Sequence, residues 1–379
     1  MKRTDITENQ ETGTVKADRA IVALVCGLWL LLALFAWIKA PGSISLEERR
    51  TLAQRPALSV RSVLAGTFMD GFEEYAKDQF PARFGFRSLK ASVRYHLLGY
   101  KDNNDIYIED GIAAKLDYPL NDKSVQTALN RFQWLYDAYL EGTQTNVYAA
   151  VIPDKHYYLG ARMDYPSMDY DRLFSMIEDG MPYAEYIDIA DSLTIEDFYR
   201  TDIHWRQERL WDVAGRIGQA LGTGIASPEA YVLTEADELL QGAYYGQSAL
   251  RLIPDRVVYA ENTATGYSRV FNVETDAFAP VYDVDKLSGR DPYDIYLSGA
   301  AALLVVENPE ARTGRELVVF RDSFASSLVP LLLEAYSRVT LVDIRYIRSE
   351  LVGEYVDFVD QDVLFIYNAL LLNSANVLK

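Results

Sequence analysis

Leu317-Val318-Val319-Phe320-Arg321-Asp322-Ser323-Phe324 decides how this chain is read. An apolar, β-branched run ends at a polar step, and Ala325 to Tyr336 then has helical character. A serine at such a strand-to-helix turn exposes its hydroxyl beside free backbone N–H groups, the setting of a nucleophile. The same Asp-Ser step also suits a helix N-cap, so the pair alone leaves both roles open. Further along, the pattern predicts a strand over Val339 to Ile344, a helix over Ile347 to Val359 and a strand over Val363 to Tyr367. That βαβαβ order implies an α/β fold with a doubly wound parallel sheet. Pro330 falls inside the first of these helices and is expected to kink it or shift its start. Ligands in open α/β sheets sit beyond the carboxyl ends of the strands, where Ser323 falls. Asn368 follows the last strand at an equivalent height, as a pocket-lining or capping residue.

Upstream lies Thr201-Asp202-Ile203-His204-Trp205. In an extended segment residues i and i+2 project to one side, so Asp202 can orient the ring of His204. Thr201 and Asp202 can equally cap the helix that follows. With only His96, His156 and His204 in the chain, the candidates for a base serving Ser323 are few. The helix after His204 is expected to bury Leu210, Val213, Ala214, Ile217 and Leu221 and to end near Gly222 and Gly224. Asn146 to Ile152 reads as a strand, Lys123 to Glu141 as a helix, and Asp105 to Ile112 as a hairpin around Glu-Asp-Gly. Lys155-His156-Tyr157-Tyr158 follows the first strand where loops line a pocket, with His156 expected as a packed or surface residue. Of the 27 tyrosines most are expected in the core, although Tyr244-Tyr245 could stack on sugar rings.

The length of 379 residues and 49% hydrophobic content suffice for a sizeable core. Ala20 to Ile38 carries no charge over 19 residues, enough to span about 30 Å of hydrocarbon. A cleaved signal peptide has a shorter apolar stretch, and no A-x-A site follows Ile38. The expected division is 1–19 as a cytoplasmic tail, 20–38 as a transmembrane anchor, 39–104 as a juxtamembrane helical connector, and 105–379 as the α/β domain with an insertion at about 227–298. Basic residues flank the span on both sides: Lys2, Arg3, Lys16 and Arg19 before it, Lys39, Arg49 and Arg50 after it. The short tail and large following domain favour an outward-facing domain at the cell membrane. Cys26, the only cysteine, lies within the span, so the rest of the chain has neither a disulfide nor a thiolate. Net charge of −18 argues against a nucleic-acid partner. Three scattered histidines make a zinc site unpromising, and no metal or cofactor is expected.

Four segments carry a resemblance: Glu48-Arg49-Arg50-Thr51-Leu52-Ala53, Asp78-Gln79-Phe80-Pro81-Ala82-Arg83, Tyr199 to Trp205, and Arg321-Asp322-Ser323-Phe324. In order and spacing they resemble the DHHW family, itself similar to alginate O-acetyltransferases of the AlgX/AlgJ type, which carry an SGNH-hydrolase-like domain. The resemblance implies a catalytic triad of Asp202, His204 and Ser323. It also implies work at the cell envelope beside a membrane-bound O-acyltransferase that supplies the acyl group, with a polysaccharide as acceptor. The name-giving motif here reads Asp-Ile-His-Trp, with Ile203 in place of the first histidine. Chemistry alone gives the same outline: His204 takes the Ser323 proton, Asp202 fixes the tautomer, and Ser323 carries an acyl ester. Arg321, Phe324, Trp205 and Asn368 are the candidates for the oxyanion and substrate pocket, although Arg321 could equally form a surface ion pair. The expected function is an anchored, extracytoplasmic O-acyltransferase that acetylates a cell-surface or secreted polysaccharide. A carbohydrate acetyl esterase and a non-catalytic polysaccharide-binding or assembly protein are the alternatives.

Overall fold

A computed structural model describes residues 4–160, 162 and 164–379, with side chains from residue 17 onward. Residues 1–3 of the expected tail, including Lys2 and Arg3, lie outside the described residues. The chain divides into two compact units, Met1–Lys90 and Ala91–Lys379.

The first unit begins with one long helix, Thr4–Ile38. Its portion Ala17–Ile38, 22 residues, is long and apolar enough to cross a membrane, a character that a signal sequence shares. Beyond it, two of the motif segments clasp each other. The Arg50 guanidinium donates to both Asp78 oxygens at 2.7 and 2.5 Å, and Ala53 N–H adds a third bond at 2.8 Å. Gln79 reads the backbone of Gly42 and Ala53, while Glu48 pairs with Arg83 and Arg87. Around this clasp run short helices Val60–Leu64, Thr67–Asp78 and Arg83–Ser92, the last two separated by Gln79-Phe80-Pro81-Ala82.

In the second unit the predicted hairpin pairs Ile106–Glu109 with Ile112–Lys115. Asp110 and Gly111 both have positive φ, 49° and 79°, as a two-residue type I′ turn requires. The main sheet has eight strands: β1 Asn146–Ile152, β2 Glu185–Tyr186, β3 Arg269–Asn272, β4 Ala277–Pro280, β5 Leu303–Glu307, β6 Glu316–Arg321, β7 Arg338–Val342 and β8 Asp362–Asn368. Their order across the sheet is β4-β3-β5-β7-β6-β8-β1-β2. The ladders from β7 to β2 are parallel, whereas β5 pairs antiparallel with β7 and β3, and β4 antiparallel with β3. The sheet is therefore mixed, parallel only over its larger part, which corrects the expectation of a wholly parallel one. Only residues 308–315 join β5 to β6, too few for the crossover of a dozen or more that parallel strands need. Part of the stretch read as an insertion also supplies β3 and β4 to this sheet.

Alternation along β6 builds the two faces. Leu317 and Val319 pack with Trp205, Val213, Ile217 and Phe324 on one side; Val318 and Phe320 pack with Phe132, Val363 and Phe365 on the other. All are essentially buried, and each apolar side chain so buried is worth about 1.5–3 kcal/mol. Helix Trp211–Ala220 covers the first face with the predicted residues Leu210, Val213, Ala214, Ile217 and Leu221 buried, and Asp122–Leu135 covers the second. The predicted helix after Ser323 shrinks to Ala325–Leu328 followed by 3-10 turns at Val329–Leu331 and Leu333–Ala335. Pro330 explains this, because it offers no N–H and crowds the carbonyl one turn back. The predicted helix Ile347 to Val359 is reduced to a 3-10 turn, Ser349–Glu354. Valines and aromatics are weak helix formers there, and Gly353 presses its backbone against the Tyr139 ring.

Candidate active site

Ser323 stands just past the carboxyl end of β6, between β7 and β8. Its Oγ is 2.7 Å from His204 Nε2, and His204 Nδ1 is 2.6 Å from Asp202 Oδ1. A buried carboxylate accepting at Nδ1 places the ring proton there, leaving Nε2 to accept from the serine hydroxyl. Asp202 is fully buried and also accepts from His204 N–H at 3.1 Å and Ala243 N–H at 2.8 Å. Residues 201–204 form consecutive bends rather than the expected extended segment. Asp202 thus meets the ring by folding back over its own loop, and neither it nor Thr201 caps a helix. Thr201 instead donates Oγ1–H to Asp255 Oδ2 at 2.6 Å and accepts from Gly242 N–H at 2.9 Å, which pins the loop.

Several residues hold the imidazole. The Tyr293 ring stacks on His204 with centroids 3.8 Å apart and planes 7° from parallel. Its hydroxyl lies 2.7 Å from Ser327 Oγ, which also receives Trp205 Nε1–H at 3.0 Å. Behind the loop, Lys155 is fully buried, donating to the carbonyls of Ala113 at 2.8 Å and Arg200 at 3.3 Å and lying 5.1 Å from the Tyr244 ring centroid. Burial pushes its ammonium down to about 7, against the pull of Asp202, Asp255 and Asp154. Asp154, next to it, is pushed up to about 6 by burial, although Tyr170 O–H and His156 N–H donate to it.

Ser323 opens into a cavity of about 770 Å³ that Phe324, Asn368, Ile203, Tyr244, Gln247, Lys115 and Arg345 also line. Phe324 and Asn368 line this cavity, but their polar groups are committed. Phe324 N–H donates to Asp322 Oδ1 at 3.0 Å; Asn368 caps Leu370 N–H at 3.0 Å and donates Nδ2–H to Ile152 O at 3.1 Å. Asp322, raised in pKa by burial, ties the ends of β6 and β8 by accepting from Asn368 N–H at 2.7 Å as well. Arg321 and Trp205 do not line the cavity. Arg321 is fully buried, 3.2 Å from Ser326 Oγ and 4.0 Å from Asp343, so it is neither a pocket donor nor a surface ion pair. Trp205 is likewise buried and braces the turn from behind, its indole bonded to Phe324 O at 3.0 Å. His156 is packed, 2.8 Å from the Tyr107 hydroxyl.

Sequence reasoning missed Arg345 and Tyr293. Arg345 follows β7 at the height of Ser323, so the rule that selected Ser323 and Asn368 selects it too. Tyr293 sits in a short 3-10 turn, Pro292–Ile295, where no periodicity marks it. Among the described residues no group of His, Cys, Asp and Glu is arranged to hold a metal ion.

The chain is thus a mixed α/β protein with a parallel-rich central sheet, and Ser323, His204 and Asp202 stand in a hydrogen-bonded row at the carboxyl edge of that sheet. Residues 186–342, which include Asp202, His204 and Ser323, match the family model described as DHHW protein, and the resemblance read from the four motifs is to that family. A DHHW family protein from Eubacterium siraeum superposes with a TM-score of 0.60 at 17% identity, covering 73% of this chain and 94% of that one. Bacillus cereus PatB1 with a sulfonyl adduct gives 0.54 at 18% identity, covering 70% and 95%. The O-acetyltransferase domain of Pseudomonas putida AlgJ gives 0.44 at 12% identity, covering 71% and 92%. No curated protein matches by sequence.

Proposed function

We propose that Ser323, His204 and Asp202 form a catalytic triad, and that the chain is a membrane-anchored, extracytoplasmic O-acyltransferase that acetylates a cell-surface or secreted polysaccharide. The observation that carries this reading is the Ser323 Oγ–His204 Nε2 contact of 2.7 Å at the floor of the 770 Å³ cavity. His204 Nε2 takes the Ser323 proton as Oγ attacks the acyl carbonyl, and the tetrahedral intermediate collapses as the donor's leaving group accepts that proton back from His204. The Ser323 acyl ester is then attacked by an acceptor hydroxyl, whose proton passes to His204 and returns to Ser323 Oγ when the ester breaks. Since Phe324 N–H is taken by Asp322, the Ser323 N–H is the backbone donor assigned to the oxyanion. The cavity volume falls in the range of sites that enclose a small ligand, large enough for a sugar residue with its acyl group. A membrane-bound O-acyltransferase is the proposed acyl donor, and the apolar helix near the N-terminus supports placing both at one membrane.

Sulfonyl fluoride treatment of the purified full chain tests the nucleophile. The expected adduct maps to Ser323, disappears in Ser323→Ala and forms far more slowly in His204→Ala; an adduct on another residue overturns the assignment. On a small acetyl ester, either alanine variant should lose activity by about three orders of magnitude or more, and the double variant should be little worse than either. With an acceptor oligosaccharide added, transfer predicts acetylated sugar accumulating at the expense of free acetate, and an unchanged acetate yield supports the esterase.

A further inference from the structure

We propose that residues 55–90 form an interfacial platform, in which the apolar faces of three short helices lie in an anionic phospholipid leaflet beside the membrane-spanning part of Thr4–Ile38. This rests on reading Ala17–Ile38 as a retained membrane span. The first support is the exposure of apolar side chains along these helices. Leu64 is 83% exposed, Val60 78% and Leu58 73%, with Val63, Met69, Phe72, Phe86 and Leu89 also exposed. On Val60–Leu64 the residues Val60, Val63 and Leu64 share one face, and on Arg83–Ser92 Phe86 and Leu89 share another, at the i, i+3, i+4 spacing of an apolar stripe. Soluble surfaces scatter such residues singly; grouped on amphipathic helices, they suit the boundary between headgroups and acyl chains.

Charge gives the second support. Residues 39–90 hold nine Lys and Arg against six Asp and Glu, in a chain whose remainder from 91 to 379 holds 24 against 45. Lys39, Arg55, Arg61 and Lys90 are exposed, and cations flanking a membrane segment are drawn to anionic headgroups. The third support is continuity with the span itself. Phe72, Tyr75 and Ala76 of helix Thr67–Asp78 line a cavity of about 280 Å³ together with Trp29, Ala33 and Trp37 of the first helix, and Arg55 stands at the same cavity. Trp29 lies nine residues before Ile38, roughly 13 Å down the helix axis. A helix packed against that stretch reaches the depth at which lipid replaces water.

Depth-dependent quenching in the full chain tests this. In a Cys26→Ser background, single cysteines at Leu64→Cys and Phe86→Cys carry an environment-sensitive fluorophore, with Leu34→Cys as the reference inside the span and Thr275→Cys as the exposed reference. The protein is reconstituted in vesicles of phosphatidylglycerol and phosphatidylcholine with or without brominated acyl chains. The expected result is loss of emission at Leu64 and Phe86 with brominated lipid approaching the loss at Leu34, little quenching by aqueous iodide, and a weaker effect in purely zwitterionic vesicles. Iodide quenching at both sites as strong as at Thr275, with Leu34 still quenched by lipid, overturns the platform and leaves the anchor standing. Shielding from both quenchers means that protein covers the face and also overturns it. Aqueous behaviour at Leu34 as well overturns the anchor reading and the platform with it.

Discussion

His204 is restrained at both ring nitrogens and across one ring face: Asp202 at 2.6 Å, Ser323 at 2.7 Å, and the Tyr293 ring at 3.8 Å. The hydrogen bonds set which nitrogen points where, and the stacked ring sets the plane in which they lie. Replacing Tyr293 by leucine removes the flat surface while keeping apolar volume, so the imidazole can tilt away from Ser323. Misplacement of this size costs about tenfold to a hundredfold in rate, and it should appear in kcat on a small acetyl ester with KM little changed. Tyr293→Phe keeps the ring and loses only the hydroxyl's bonds, to Ser327 Oγ at 2.7 Å and Phe324 O at 3.4 Å, so it should retain most of the wild-type kcat. Equal losses in the two variants would show that the hydroxyl, not the ring, does the positioning. Asp202, His204 and Ser323 were legible in the sequence because the chain has only three histidines and because both loops fall at recognisable breaks. Tyr293 was not, being one of 27 tyrosines, and only the fold brings its ring onto the histidine.

The loop at Gly242-Ala243 is as much a part of the site as the strands. A Cβ on Gly242 would come within 2.2 Å of the Thr201 carbonyl and 2.3 Å of Asp202 N, so the loop can approach only because this residue has no side chain. That approach lets Gly242 N–H bond Thr201 and Ala243 N–H bond Asp202. Gly242→Ala should therefore cost about 1–3 kcal/mol in unfolding free energy by forcing backbone apart. It should also lower acetyl-ester turnover at least about tenfold by releasing Asp202 Oδ2. Gly266→Ala, in helix Thr263–Tyr267 where nothing lies within 4 Å of the added carbon, should be neutral or slightly stabilising in the same urea titrations. At this scale the strands were readable from their apolar runs, and the hairpin from Asp110-Gly111. The helices expected after Ser323 and Ile347 are shorter in the structure, since apolar periodicity survives where proline and close backbone packing forbid helical hydrogen bonds. The antiparallel end of the sheet was missed because β3 and β4 are four residues each, too short for a periodic signal.

For the second unit as a whole, stability should carry the imprint of its buried charges. Asp154 has a folded-state pKa of about 6 against 3.8 for the free side chain, so the folded chain keeps a proton that the unfolded chain gives up. Its contribution favours folding at low pH, falls as pH rises from about 4 to about 6, and is constant above. Lys155, down to about 7, titrates above that window. The unfolding free energy of Asp154→Asn minus that of wild type should thus rise across the window by about 3 kcal/mol, at about 1.4 kcal/mol per pKa unit, whatever constant offset the lost carboxylate bonds add. Urea titrations at a series of pH values measure this, and a flat difference would mean that the carboxyl is ionised throughout. The same sheet has another property at its borders. One outermost strand, Glu185–Tyr186, is two residues long, and the other, Ala277–Pro280, is four residues ending in an imino acid that has no N–H to give. Neither border offers a length of unpaired backbone on which a second chain could template itself, so the sheet is guarded against growth by strand addition and against the aggregation that begins that way.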